Sequence, residues 1–191
     1  MSFSIPLLAT LFMGEATAGG IGVLTHAGVH QGRSYYYLGD RQGIDSQFNP
    51  QFGAGMEALI GDKDDRLQGL IRLYWNQDMP LKEPTFDTGD SYVYPAEHEL
   101  NARNDGMVSV GLQWGLWGEP TAFQLVATTS LVSCFWTIDN LEHVAFDLGV
   151  GATYTLGERI QLHGNLALTP RYRKQISFAA NTYAGVRYLF D

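Results

Sequence analysis

The sequence predicts an all-β fold, an eight-stranded antiparallel up-and-down transmembrane β-barrel, from three observations. Eight stretches of ten to fourteen residues alternate apolar with small or polar side chains. Three of the gaps between them are tight turns, and almost no charge falls inside the stretches. Lipid offers no hydrogen bonds, so a sheet that spans it must close on itself and leave no free edge.

Composition agrees. Charged residues are 17% of the 191, against about 25% in an ordinary soluble domain, while Gly numbers 22 and aromatics reach 13%. No run approaches the ~18–20 apolar residues of a membrane helix. The net charge of -8 comes without a basic stripe, which argues against nucleic acid as a partner. Acids gather in gaps, Asp62, Asp64 and Asp65 in one and Asp87, Asp90, Glu97 and Glu99 in another. They read as solvated loops, with no metal site and no cofactor expected. Cys134 is the one cysteine and reads as a packed free thiol.

Residues 1–18 read as a secretory signal peptide cut after Ala18, leaving 19–191 as a single barrel domain. Ile5 to Met13 form a short apolar core and Ala16-Thr17-Ala18 a small-x-small cleavage site. The head carries no Lys or Arg and Glu15 sits close to the cut, so an apolar N-terminal strand is the competing reading.

In chain order the expected strands are 20–30, 51–61, 66–77, 106–116, 121–132, 143–156, 159–172 and 177–190. The fourth sets Val108, Val110, Leu112, Trp114 and Leu116 against Ser109, Gly111, Gln113 and Gly115. The sixth sets Val144, Phe146, Leu148, Val150, Ala152 and Tyr154 against Ala145, Asp147, Gly149, Gly151 and Thr153. The seventh sets Ile160, Leu162, Leu166 and Leu168 against Gln161, His163, Asn165, Thr169 and Arg171. A period of two over this length marks half-buried strands. The first, second, third and fifth are less regular, because Leu24, Leu59, Leu70 and Val126 fall on the polar face.

Tight hairpins are expected at Asp62-Lys63-Asp64-Asp65, Trp117-Gly118-Glu119-Pro120 and Gly157-Glu158. The alternate connections are 31–50 and 78–105, both long, then 133–142 and a short 173–176. Short turns on one rim and longer loops on the other is the outer-membrane arrangement. Trp114, Trp117, Phe123, Tyr154, Tyr188 and Phe190 fall toward the short-turn rim. Phe52, Trp75, Phe135, Trp136, Tyr172 and Phe178 fall toward the other, as two interfacial girdles would.

Alternation alone does not say which face meets water, and a soluble lipocalin-like ligand-binding barrel shows the same period. A water-facing exterior carries many Lys and Glu. Here the only lysines are Lys63, Lys82 and Lys174, all in turns or loops. The polar face is mostly Gly, Ser, Thr, Gln and Asn, which suits a narrow lumen. The apolar rows are therefore expected to face lipid.

With its closing segment TYAGVRYLFD, the chain resembles the small eight-stranded outer-membrane barrels of the OmpA, OmpX and OmpW kind. The resemblance covers residues 20–190. It implies that Tyr188 and Phe190 serve as the signal read by the barrel-assembly machinery, although Asp191 rather than an aromatic comes last. It implies a place in the cell outer membrane of a Gram-negative envelope, with lipid as the surrounding partner.

Seven ionisable side chains point inward in this register: His26, Glu57, Arg72, Asp147, His163, Arg171 and Arg187. Counting from the short-turn rim puts Glu57, Arg72, His163 and Arg187 at one depth, as an ion-pair layer. Asp147 lies higher, within reach of Arg171. A buried charge must be paired, so these residues read as an internal lock, with a charged constriction as the alternative. No catalytic residue is assigned. His30 with Ser34 and Asp40, or His143 beside Glu142, are the nearest approach to an outer-leaflet lipid-modifying enzyme.

Tyr35, Tyr36 and Tyr37 in one long gap, and Tyr92 and Tyr94 in the other, are candidate contacts for protein partners. They could equally cover the mouth or pack in extended strands. The expected role is structural or interaction-based: a plugged barrel, loops outward, reaching partners through its loops or wall as a subunit of an envelope complex such as one for secretion or surface motility. A narrow channel for small or apolar solutes is the first alternative, the lipid-modifying enzyme the second and the soluble barrel the third.

Overall fold

The computed structural model describes residues 19–38, 41–79, 94–95, 103–137, 144–172 and 176–190. The expected signal segment lies outside them, as do Tyr92, His143 and Glu142. The strands are β1 (Gly19–Leu38), β2 (Arg41–Ile60), β3 (Leu67–Asp78), β4 (Tyr94–Pro95), β5 (Arg103–Gly118), β6 (Phe123–Thr137), β7 (Val144–Leu156), β8 (Ile160–Tyr172) and β9 (Ile176–Phe190). Apart from the two-residue β4, each is antiparallel to its neighbours in the order β2-β3-β5-β6-β7-β8-β9-β1, and β1 pairs back onto β2. Eight strands therefore close into a ring. The seam between β9 and β1 runs from Gly19↔Phe190 to His30↔Ala179.

The short turns fall where Gly and Asp allow them. Gly61, Gly118 and Gly157 have φ of 126°, 88° and 65°, a region L side chains avoid. Asp65 N–H donates to Asp62 O at 3.0 Å, and Asp64 N–H donates to the Asp62 carboxylate at 3.1 Å. Glu119 N–H closes the β5–β6 turn on Phe123 O at 2.9 Å.

Side chains alternate along β7, with a break only at Gly151 and Ala152. Val144, Phe146, Leu148 and Val150 face out, while Ala145, Asp147 and Thr153 are buried. Val150 is 61% exposed and Leu168 64%, against 1% for Asp147 and 2% for Thr169. The oily rows thus look away from the barrel and the polar rows fill it, which is opposite to a soluble ligand-binding barrel. Exposed aromatics mark both rims: Trp114, Trp117, Phe123, Tyr154 and Tyr188 by the short turns, Phe52, Trp75 and Phe178 by the other end.

The structure departs from the sequence reading in the extent and register of several strands. Residues 31–50 are not a loop: β1 and β2 pair continuously from Gly19↔Ile60 to Leu38↔Arg41, because Tyr35–Leu38 has strand propensity without strict alternation. Tyr35, Tyr36 and Tyr37 consequently lie in a strand, and β4, a piece of the second long connection, pairs Tyr94 with Tyr37 and Pro95 with Tyr36. β6 runs to Thr137, past the expected end at 132. Finally, a register shift between Gly115 and Trp117 leaves Leu116 and Trp117 both exposed, as one extra residue in a strand does.

The leucines that break the pattern are part of the interior. Leu24, Leu59, Leu70 and Val126 are all buried. Leu59, Leu70 and Leu189 form one apolar cluster. A second joins Leu24, Tyr74, Met107, Val132, Ala145, Ala167 and Tyr183.

Candidate functional site

The lumen is the part of the molecule that concentrates ionisable side chains, and neighbouring strands set its layers. Glu57 of β2 is opposite Arg72 of β3. On its other side Glu57 is opposite Gly22 of β1, which is itself opposite Arg187 of β9. His163 of β8 is opposite Gly185 of β9. These inward glycines leave the room that the neighbouring large side chains occupy. A Cβ on Gly185 would collide with the His163 ring, and one on Gly22 would meet Arg187 Cγ at 2.9 Å.

Glu57 is the hub. Its Oε1 accepts from Arg187 Nε at 2.8 Å and its Oε2 from Arg187 Nη2 at 3.1 Å. Arg72 Nε reaches Oε2 at 3.4 Å, and His163 Nε2 contacts Oε1. Glu57, Arg72, His163 and Arg187 therefore meet in one buried cluster. A bidentate guanidinium–carboxylate pair is the strongest ordinary hydrogen-bonded arrangement available.

Amides sequence reasoning passed over tie this cluster to the short-turn rim. Arg187 Nη1 donates to Gln113 Oε1 at 3.1 Å and Gln161 Oε1 at 3.0 Å. Gln113 Nε2 donates to Gln68 Oε1 at 3.4 Å, and Gln68 Nε2 to Asp62 O in the β2–β3 turn at 3.0 Å. Gln161 Nε2 donates to Thr155 Oγ1 at 3.4 Å, and Thr155 Oγ1 to Pro120 O in the β5–β6 turn at 2.9 Å.

Toward the other rim, the Arg72 guanidinium lies over the Tyr183 ring, 4.4 Å from its centre, a cation–π contact. Tyr183 OH donates to Asp147 Oδ2 at 2.8 Å, and Thr169 Oγ1 to Asp147 Oδ1 at 2.5 Å. His26 packs edge-on to Tyr74 at 5.1 Å and tilted to Tyr183 at 5.8 Å. Asp147 and Arg171 go to different partners rather than to each other. The register puts Ala145 opposite Arg171, so the carboxylate sits one inward position away, beside Thr169. Arg171 Nη2 instead donates to Gln51 Oε1 at 3.0 Å; Gln51 Nε2 donates to Asn181 Oδ1, and Asn181 Nδ2 to Thr169 Oγ1 at 3.0 Å. Asp78 binds His30 Nδ1 at 3.2 Å and accepts from Asn76 Nδ2 at 3.0 Å.

His30 thus has an acid partner in Asp78, while the side chains of Ser34 and Asp40 lie outside the described residues. The side chains of Tyr35, Tyr36, Tyr37, Tyr94 and Cys134 do so too. Among the described residues no group of three or more His, Cys, Asp or Glu could hold a metal ion. A groove of about 540 Å³ is lined by outward Leu148, Val150, Leu166, Leu168, Ala180 and Thr182, together with Thr128, Gly149, Ala167 and Asn181. Its outward residues belong to the apolar outer wall.

No protein-family profile matches the sequence, and no curated protein matches it. Solved structures of similar shape include Neisserial surface protein A, at 14% identity over 89% of this chain and 97% of that one, with a TM-score of 0.42. The β domain of the Bordetella autotransporter BrkA is 14% identical over 91% and 100%, with a TM-score of 0.38. Ail of Yersinia pestis is 10% identical over 90% and 99%, with a TM-score of 0.25. The closed ring of eight strands, the oily outer wall and the polar packed interior are the architecture of a small outer-membrane β-barrel.

Proposed function

We propose that this protein serves the outer membrane of a Gram-negative envelope as a plugged barrel with a structural or interaction role, and not as an enzyme. The supporting observation is the Glu57 cluster, which crosses the lumen from β2 to β3, β8 and β9 and is braced through amides to two turns. An eight-stranded barrel is just wide enough for side chains to fill. In this reading the short turns face the periplasm, and the β1–β2 ribbon with the short β4 paired to it faces outward, available to an envelope complex. Residues 1–18 act as a signal peptide, supported by the apolar core from Ile5 to Met13 and the small-x-small site Ala16-Thr17-Ala18.

Two measurements test this. In membrane fractionation the protein stays with the outer membrane and migrates differently on gels before and after boiling. In planar bilayers the purified barrel is electrically silent. Steady single-channel steps would make it a solute channel and overturn the plug.

A further inference from the structure

We propose that the short-turn rim where β3 begins and β5 ends is a phospholipid site selective for phosphatidylethanolamine. In the orientation given under Proposed function, on which the choice of leaflet rests, the site lies in the periplasmic leaflet. The bulge between Gly115 and Trp117 builds it. The extra residue leaves Leu116 and Trp117 both exposed, and Trp117 packs edge-on against Phe123 with ring centres 6.3 Å apart. Gly115 N–H donates to Arg66 O at 2.7 Å, so Arg66 enters β3 beside the bulge. One residue deeper, Leu67 is opposite Trp114, and both are exposed.

A cation at the rim with oily side chains directly beneath it repeats the order of polarity in a phospholipid. Tryptophan at a membrane edge sits at headgroup level, which puts Arg66 among phosphates. Arg66 and Glu119 carry opposite charges that do not meet. Arg66 Nη2 donates to Gly118 O at 3.4 Å, which sets the guanidinium next to the residue preceding Glu119. Both side chains are exposed, and neither makes an ion pair among the described residues. Arg159 of the same rim is instead taken up by Tyr188 OH at 2.9 Å.

Charge selects the headgroup. A guanidinium with unfilled N–H groups fits a phosphate, and a carboxylate beside it fits an ammonium. The β2–β3 turn adds Asp62, Asp64 and Asp65 against Lys63. A lipid of net negative charge therefore meets repulsion at this rim, while a zwitterion matches both signs. A quaternary choline has no N–H to give to Glu119 or to Gly118 O. A primary ammonium has three, so ethanolamine is the better fit.

The experiment mixes the folded barrel in detergent with equal amounts of dilauroyl phosphatidylethanolamine, phosphatidylcholine and phosphatidylglycerol, and counts retained lipid by native mass spectrometry. Phosphatidylethanolamine is expected to be retained about fivefold over either competitor, the effect of one exposed ion pair. Arg66→Gln should lower its retention by about the same factor. Glu119→Gln should erase the preference over phosphatidylcholine, and Arg159→Gln should change neither. Heat-modifiable mobility checks that each variant is folded. Equal retention of the three lipids, a preference for phosphatidylglycerol, or undiminished binding by Arg66→Gln overturns the site. Displacement of the lipid by inorganic phosphate would make it a free-anion site and overturn it as well. Any of these failures leaves the plugged-barrel reading standing, because fractionation and conductance are scored separately.

Discussion

Arg187 grips Glu57 across a strand that places no side chain between them. Gly22 of β1 pairs with Glu57 on one side and Arg187 on the other, and the guanidinium holds the two carboxylate oxygens at 2.8 and 3.1 Å. A methyl at position 22 would run into the Val186 carbonyl and the Arg187 Cα and Cγ. Gly22→Val is therefore expected to destabilise the barrel by about 1–3 kcal/mol, the usual range for overpacking. Gly164→Ala, where a Cβ meets nothing within 4 Å, should leave stability close to that of the parent. Urea unfolding in detergent, read by the boiled-versus-unboiled gel shift, compares the two.

Glu57→Gln and Arg187→Met each strand a buried partner and should cost about 3–5 kcal/mol. The double variant Glu57→Gln/Arg187→Met should cost less than the sum, since the two act as one unit. A strictly additive double-mutant cycle would contradict the hub.

The long strands were legible because their period of two survives: β7 and β8 alternate with little interruption. What escaped was set by three-dimensional fit. Leu59 and Leu70 look misplaced in sequence, yet with Leu189 they form a buried apolar cluster, each two residues along its strand from Glu57, Arg72 or Arg187. A leucine on the polar face carries no label saying that the interior needs oil at that level. Asp147 and Arg171 shared a face, but stagger between strands decided which groups meet. Gln113, Gln161 and Tyr183 were passed over because neutral amides and a phenol carry no charge to attract notice. Parity and depth, by contrast, were sufficient to name Glu57, Arg72, His163 and Arg187 as a group.

Leu166 lies midway along β8 and is 62% exposed. Leu166→Arg should destabilise by about 2–4 kcal/mol in a bilayer, the cost of a cation at mid-depth on the lipid face. Leu166→Ala should cost far less. Equal effects from the two would argue that this wall does not meet hydrocarbon. Unfolding titrations in phospholipid vesicles supply the numbers.

Tyr183→Phe keeps the ring beneath Arg72 but deletes the donor to Asp147. The loss should be about 1–3 kcal/mol, the cost of leaving a buried acceptor short of a partner. Tyr183→Leu should lose more, because the cation–π contact goes as well. Chemical denaturation of both variants side by side separates the hydroxyl from the ring.

N-terminal sequencing of protein recovered from the outer membrane should begin at Gly19. A start at Met1 would mean that residues 1–18 are not removed.

The β9–β1 seam has a consequence for manufacture. The ring's first strand must find its last, so the ring stays open until synthesis has passed Phe190. Every unfinished chain carries two raw edges, and a stop codon anywhere before β9 would yield a product that cannot seal.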